Sequence, residues 1–252
     1  MGDGSPWPDT AMILAAGLGT RMRPLTLDLP KALVPLGAET LIDRAIARLA
    51  KAGISRIVVN IHHHAGLLTD HLAERRFPDI LFSSEADGLL ETGGAVKRAA
   101  PLLGAGPVWI VSVDSVWIEE RDAFRTLAAE WRGDAMDCLL LLAGTSRCSG
   151  IDGCGDFDRG SDGRLRFRTG PRADFAYSGL SLMTPAAAEA DERQAFPLRE
   201  VWRRLATEGR LFGAELQGQF LHVGDPDALR LAERRLGAPE HPTAPVSGRD
   251  DR

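Results

Sequence analysis

Ala11-Met-Ile-Leu-Ala-Ala-Gly-Leu-Gly-Thr-Arg-Met-Arg-Pro-Leu-Thr26 joins a short apolar run to a loop rich in glycine, arginine and proline. An apolar run of this length that stops at a glycine reads as a strand buried on both faces, the kind found in parallel sheets. Outward from it, strand and helix patterns alternate. Residues 40–51 put Leu41, Ile42, Ala45, Ile46 and Leu49 on one helical face, and Gly53 closes that helix. Residues 56–60 are rich in β-branched side chains, 65–75 are periodic at helical spacing, 79–84 read as a third strand and 93–103 as a helix. Val108-Trp-Ile-Val-Ser-Val113 is the most apolar strand candidate, and it ends on Asp114. The alternation predicts an α/β fold with a doubly wound, mostly parallel sheet and helices on both faces. Ligands of such a sheet bind beyond the carboxyl ends of its strands.

A helix at 123–131 and a strand at 137–143 come next. Residues 144–172 then turn rich in Gly, Asp and Arg and lose periodicity, which predicts loops or a small antiparallel insertion. Residues 175–183, 210–215 and 219–223 read as strands, and 197–208 and 225–236 as helices. Residues 11–236 are therefore expected to form one domain. A flexible N-terminus (1–10) precedes it, and a polar, Pro-rich tail (237–252) is expected to be disordered.

Composition narrows the partners. Thirty basic residues against 35 acidic ones give a net charge of −5, so nothing general draws the chain to nucleic acid or to an anionic membrane. No apolar run reaches the roughly 18 residues of a membrane span, and the N-terminus lacks a signal core. A cytoplasmic location is the expectation. The three cysteines lack C-x-x-C spacing and read as free thiols. His62-His-His64 cannot all face one ion on a strand or a helix, so the triplet reads as solvated or capping.

The loop after the first strand suits a triphosphate. Its glycines let backbone N–H groups approach phosphate oxygens, and Arg21 and Arg23 add charge. It is not a Walker loop, because no Gly-Lys-Ser/Thr follows, nor a dinucleotide fingerprint, because Met22 stands where the third glycine would be. Four residues past Thr26, Pro30-Lys31-Ala-Leu-Val-Pro35 supplies a lysine able to neutralise a phosphate under attack.

These residues resemble the signature of the sugar-phosphate nucleotidyltransferases, approximately L-A-A-G-x-G-T-R-L-x-P-L-T followed by P-K-P. Here it stands as Leu14 to Thr26 with Pro30-Lys31-Ala32, alanine replacing the last proline. The resemblance implies a Rossmann-like sheet of the nucleotide-diphospho-sugar transferase type, acting on an NTP and a sugar 1-phosphate and releasing pyrophosphate. It implies that Leu14, Ala15, Ala16, Gly17, Gly19 and Thr20 bind the nucleotide, with Arg21, Lys31 and Asp114 catalytic. Mg²⁺ is the implied cofactor, and a monomer or weak homo-oligomer is expected.

Leu90-Glu-Thr-Gly-Gly94 reads equally as a helix start capped by Thr92 or as a ligand approach. It is similar to the L-E-T-G-G segment of short cell-wall-recycling members of the family, which uridylylate N-acetylmuramate 1-phosphate. That similarity implies UTP as donor and places Glu91 and Gly93 near base and sugar. Ser84, Glu85 and Gly88 are further candidates for the nucleotide. Gly153-Cys-Gly-Asp-Phe157 and Tyr177-Ser-Gly-Leu180 resemble segments that line the family's sugar pocket, implying roles for Gly155, Asp156, Ser178 and Gly179. The family's sugar-phosphate lysine has no counterpart between Gly153 and Leu180; Arg164, Arg166, Arg168 and Arg172 are possible substitutes.

Asp114 occupies the position of the family's metal aspartate, and one or two carboxylates suffice for Mg²⁺ when phosphates supply the rest. In Phe220-Leu-His-Val-Gly-Asp225, His222 stands where the family has its second carboxylate. Three arrangements remain open: His222 assists Asp114, Asp225 takes over, or the metal site is weaker. Two rival readings of the whole chain stand beside uridylylation: a non-catalytic sugar-nucleotide sensor, and guanylylation of a heptose or mannose phosphate.

Overall fold

The computed structural model describes residues 8–238. Strand β1 (Thr10–Leu14) leads into the phosphate loop, after which a small hairpin, β2 (Pro35–Leu36) and β3 (Glu39–Thr40), delivers the chain to α1 (Leu41–Lys51). There follow β4 (Arg56–Ile61), α2 (Ala65–Leu72), β5 (Asp79–Ser84), α3 (Glu91–Leu103) and β6 (Val108–Ser112). The second half runs through β7 (Ser115–Glu119), α4 (Ala123–Glu130), β8 (Cys138–Gly144), β9 (Cys148–Ser149), β10 (Phe157–Arg159), β11 (Leu165–Phe167) and β12 (Phe175–Met183). It closes with α5 (Ala186–Glu189), α6 (Leu198–Thr207), β13 (Leu211–Glu215), β14 (Gly218–His222) and α7 (Pro226–Leu236).

The main sheet runs β5-β4-β1-β6-β12-β8-β13. Strands β5, β4, β1 and β6 are parallel, as are β8 and β13, and β12 lies antiparallel between the two groups. The fold is thus the expected α/β sheet, mostly parallel. Alternation of side chains along β1 explains its two-sided burial: Ala11 and Ile13 enter one core with α1 and α2, while Met12 enters another with α3 and α6. The expected insertion is the β10–β11 hairpin, which extends the sheet beside β12.

Several boundaries moved. Strand β7 had no expectation, because it follows Asp114 after no turn signal; it pairs with β14 in a second, three-stranded sheet. Helix α3 begins at Glu91, before its glycines, and α2 ends at Leu72. The N-terminal expectation is corrected at residues 8–10: Pro8 accepts from Trp109 Nε1 at 2.9 Å, the Asp9 carbonyl accepts from Ser55 and Arg56, and Thr10 is buried in β1. Gly237 and Ala238 close α7, donating to Arg234 and Glu233. The remainder of both terminal segments lies outside the described residues. Among the described residues no helix is long and apolar enough to cross a membrane.

Leu140 lies in β8, fully buried between β12 and β13. Leu140→Ala is expected to cost about 2–5 kcal/mol through lost transfer energy and a residual cavity. A lower urea midpoint at unchanged slope would show it.

Candidate active site

Because β1, β4 and β6 are parallel, their carboxyl ends open together, and there lies a cleft of about 320 Å³. It is lined by loop residues from Leu14 to Arg21, by Lys31 and Asp114, and by Asn60, Glu85, Glu91 and Thr92. Gly19 shapes the loop: its φ is +60°, and a Cβ there would stand 3.0 Å from Thr26 Cγ2 and 3.1 Å from Lys31 Cβ. Thr26 ties the loop down by donating its hydroxyl to the Gly19 carbonyl at 2.7 Å.

Lys31 sits in a 3-10 turn with its side chain only 10% exposed, and its Nζ is 2.6 Å from Asp114 Oδ2. A cation buried to this degree requires a partner. Burial works to raise the Asp114 carboxyl, but the Lys31 ammonium, His222 and hydrogen bonds outweigh it and hold it below the usual carboxylate range. The β7–β14 register pairs His222 with Ser115, and Val223 N–H donates to the Asp114 carbonyl at 2.9 Å. That places His222 Nδ1 3.8 Å from Asp114 Oδ2 and Nε2 3.5 Å from Arg21 Nη2. Burial pushes the imidazole below its ordinary value; Lys31 and Arg21 push the same way, against Asp114 and Asp225. His222 is therefore largely neutral at pH 7.

One carboxylate with a neutral imidazole beside it is too little for an all-protein cage. It fits an ion that takes most of its oxygens from substrate phosphates. Asp225 has another role in the structure: its Oδ1 accepts from Ala228 N–H at 2.9 Å and caps α7.

On the other side of the cleft, Glu85 is fully buried. Its Oε1 accepts from Asn60 Nδ2 at 2.7 Å and its Oε2 from Leu90 N–H at 2.9 Å, while Asn60 Oδ1 accepts from Ala15 N–H at 2.7 Å. One carboxylate thus links the phosphate loop, the end of β4 and the start of α3. Held at Leu90 in this way, Glu91 adopts φ +59°, a region that non-glycine residues seldom enter.

Other expectations are corrected. Gly93 is packed under Phe196: a Cβ would stand 2.4 Å from that ring, and the Gly93 N–H already donates to the Phe196 carbonyl at 2.8 Å. Thr92 caps α6 instead of α3, accepting from Leu198 N–H at 2.8 Å. Ser178 is fully buried and donates to the Leu141 carbonyl at 2.9 Å, with Gly179 beside it where the β12–β8 register shifts. Ser84 and Gly88 stand outside the cleft lining; Gly88 closes a turn onto the Glu85 carbonyl. Gly155 and Asp156 line a second pocket of about 310 Å³, which Arg21 and His222 also border.

A family model described as nucleotidyl transferase matches residues 10–148. The chain is 43% identical over 235 residues to the N-acetylmuramate alpha-1-phosphate uridylyltransferase of Caulobacter vibrioides, covering 91% of this chain and 97% of that one. The chain belongs to the sugar-phosphate nucleotidyltransferases. The nucleotidyltransferase is also 32% identical to the enzyme of the same description from Neisseria meningitidis serogroup B, over 90% of this chain and 98% of that one. Its fold matches that of UDP-glucose pyrophosphorylase from Acinetobacter baumanii with a TM-score of 0.76 at 15% identity, over 92% and 94% of the chains.

Among the cleft residues that the sequence leaves unmarked in this nucleotidyltransferase, Asn60 is the one that ties the phosphate loop to Glu85. Its one signal was a polar side chain near the end of a β-branched strand, where a parallel sheet presents its ligand side. Asn60→Ala removes the acceptor of Ala15 N–H and the donor to Glu85. It is expected to destabilise the protein by about 1–3 kcal/mol and to raise the KM for the nucleoside triphosphate roughly tenfold. Thermal unfolding and steady-state kinetics would read the two effects separately.

Proposed function

We propose that this nucleotidyltransferase uridylylates N-acetylmuramate 1-phosphate, forming UDP-N-acetylmuramate and pyrophosphate. The observation that carries the reading is the Lys31–Asp114 pair at 2.6 Å in the larger cleft, beside Arg21, which also lines the second pocket. The donor and acceptor are those named for the 43% identical relative. The nucleotide occupies the larger cleft, its phosphates against the Gly17 to Arg21 loop, and the sugar phosphate enters from the second pocket. An oxygen of the sugar phosphate forms a bond to the α-phosphorus, the bond to the bridging oxygen of the β-phosphate breaks, and pyrophosphate leaves with that electron pair. Arg21 and Lys31 stabilise the charge on the transferring phosphoryl group, and no covalent enzyme intermediate is required. Asp114, with His222 beside it, would hold Mg²⁺, which when bound supplies Lewis-acid charge to the phosphate oxygens. In this reading the enzyme acts in the cytoplasm, in peptidoglycan recycling, as a monomer or weak homo-oligomer.

Incubation with N-acetylmuramate 1-phosphate, Mg²⁺ and each of the four NTPs in turn is expected to release pyrophosphate with UTP. Release with GTP alone, on a mannose or heptose phosphate, would move the reading to guanylylation. Lys31→Met is expected to lower kcat roughly 10²–10³-fold, the scale of losing one group aimed at developing charge. Stopped-time pyrophosphate assays at saturating substrates would measure it.

A further inference from the structure

We infer that His222 is a positioning residue for Arg21: its imidazole accepts from the guanidinium and holds it in the lining of the cleft, so that a full positive charge remains for the phosphates. The inference rests on the transfer reaction proposed above. It assigns His222 to aiming a cation, and leaves the metal ion to Asp114 and the substrate.

The ring has a fixed place because its backbone has one. His222 ends β14, the central strand of the sheet β7-β14-β9, and pairs with Ser115 of β7. Gly150 packs against it so closely that a Cβ there would stand 2.1 Å from the His222 carbonyl oxygen. The side chain, 22% exposed, lines the second pocket and puts Nε2 3.5 Å from Arg21 Nη2. Gly224, in the cleft lining, keeps this contact open: a Cβ on it would stand 2.7 Å from His222 Nε2 and 3.4 Å from Arg21 Nη2. Its φ is not in the left-handed region, so glycine is called for here by the two side chains that meet over it.

A guanidinium has donors only, so the ring nitrogen that faces it is the unprotonated one. A neutral imidazole has one such nitrogen. The proton then lies on Nδ1, which faces Asp114 Oδ2 at 3.8 Å. No lone pair of the ring is left for a metal ion, and Asp114 Oδ2 is already engaged by Lys31 at 2.6 Å. Among the described residues Arg21 has no carboxylate partner, and the ring is the side chain it meets. A carboxylate in place of the imidazole would bind the guanidinium through forked, charge-assisted bonds and cancel the charge that Arg21 supplies to the phosphates. The imidazole gives direction and leaves the charge intact.

The test is a double-mutant cycle between the two residues, read by pyrophosphate release with UTP, Mg²⁺ and N-acetylmuramate 1-phosphate. His222→Ala is expected to lower kcat/KM for UTP roughly tenfold, the scale of one hydrogen bond to a charged group. In the Arg21→Gln background, which has no guanidinium to aim, the same substitution is expected to change it by less than about twofold. His222→Gln, a neutral acceptor, is expected to recover part of the loss, and His222→Asp to remain as slow as His222→Ala; unfolding temperatures check that each variant folds. Equal losses from His222→Ala in both backgrounds would overturn the inference. So would a His222→Asp protein that is faster than wild type and binds Mn²⁺ more tightly in the presence of UTP, read by electron paramagnetic resonance, because a metal ligand behaves in that way. If no NTP and sugar phosphate release pyrophosphate, the functional reading fails; the same cycle on calorimetric UTP affinity then decides His222 on its own, additive losses refuting it.

Discussion

The buried contact between Lys31 and Asp114 joins the two halves of the site. It ties a lysine that follows the phosphate loop to the residue that ends β6, across 83 positions of sequence. The Lys31 side chain is 10% exposed and its charge requires a partner, so the pair fixes the position of both side chains. The loop, the turn that carries Lys31 and the crossing to β7 are thereby set in one geometry. Leaving the pair to meet substrate phosphates replaces one set of charge partners by another, which is why a buried ion pair is compatible with a binding site.

A second constraint acts from the opposite wall. Glu85 satisfies Asn60 and the Leu90 amide together, and Asn60 in turn satisfies Ala15. Such a network has no spare member: removal of one leaves a buried polar group unpaired, at a cost above that of the lost bond. It holds the Leu90–Glu91 turn hard enough to keep Glu91 in the left-handed region. The two walls of the cleft are therefore independently rigid. A preorganised site of this kind does not have to reorganise its dipoles as charge develops on a phosphate.

The fold and the phosphate loop were legible in the sequence because both are local. The apolar run Ala11 to Ala16, the helical face of Leu41 to Leu49 and the β-branched β4 each report their own burial, and the order of such patterns implies a parallel sheet. The glycines were legible only as permissive positions. Gly19 proved to be shaped by the loop itself, whereas Gly93 proved to be shaped by Phe196, a contact spanning 103 positions that no local pattern announces.

The sequence by itself determined the alternation of strand and helix, the Gly/Arg loop at the end of β1, and the identity of Lys31 and Asp114 as its charged companions. Only the tertiary structure decided what stands next to what. The β7–β14 register brings His222 to Asp114, Asp225 is taken up as a helix cap, Ser178 turns into the core, and Asp156 pairs with Arg199 of α6. The physical reason is the range of the interactions. Hydrophobic periodicity and turn chemistry act over a few residues and are written in order along the chain. Charge pairing, buried hydrogen bonds and ring packing act between elements, and exist only once the sheet has placed those elements side by side.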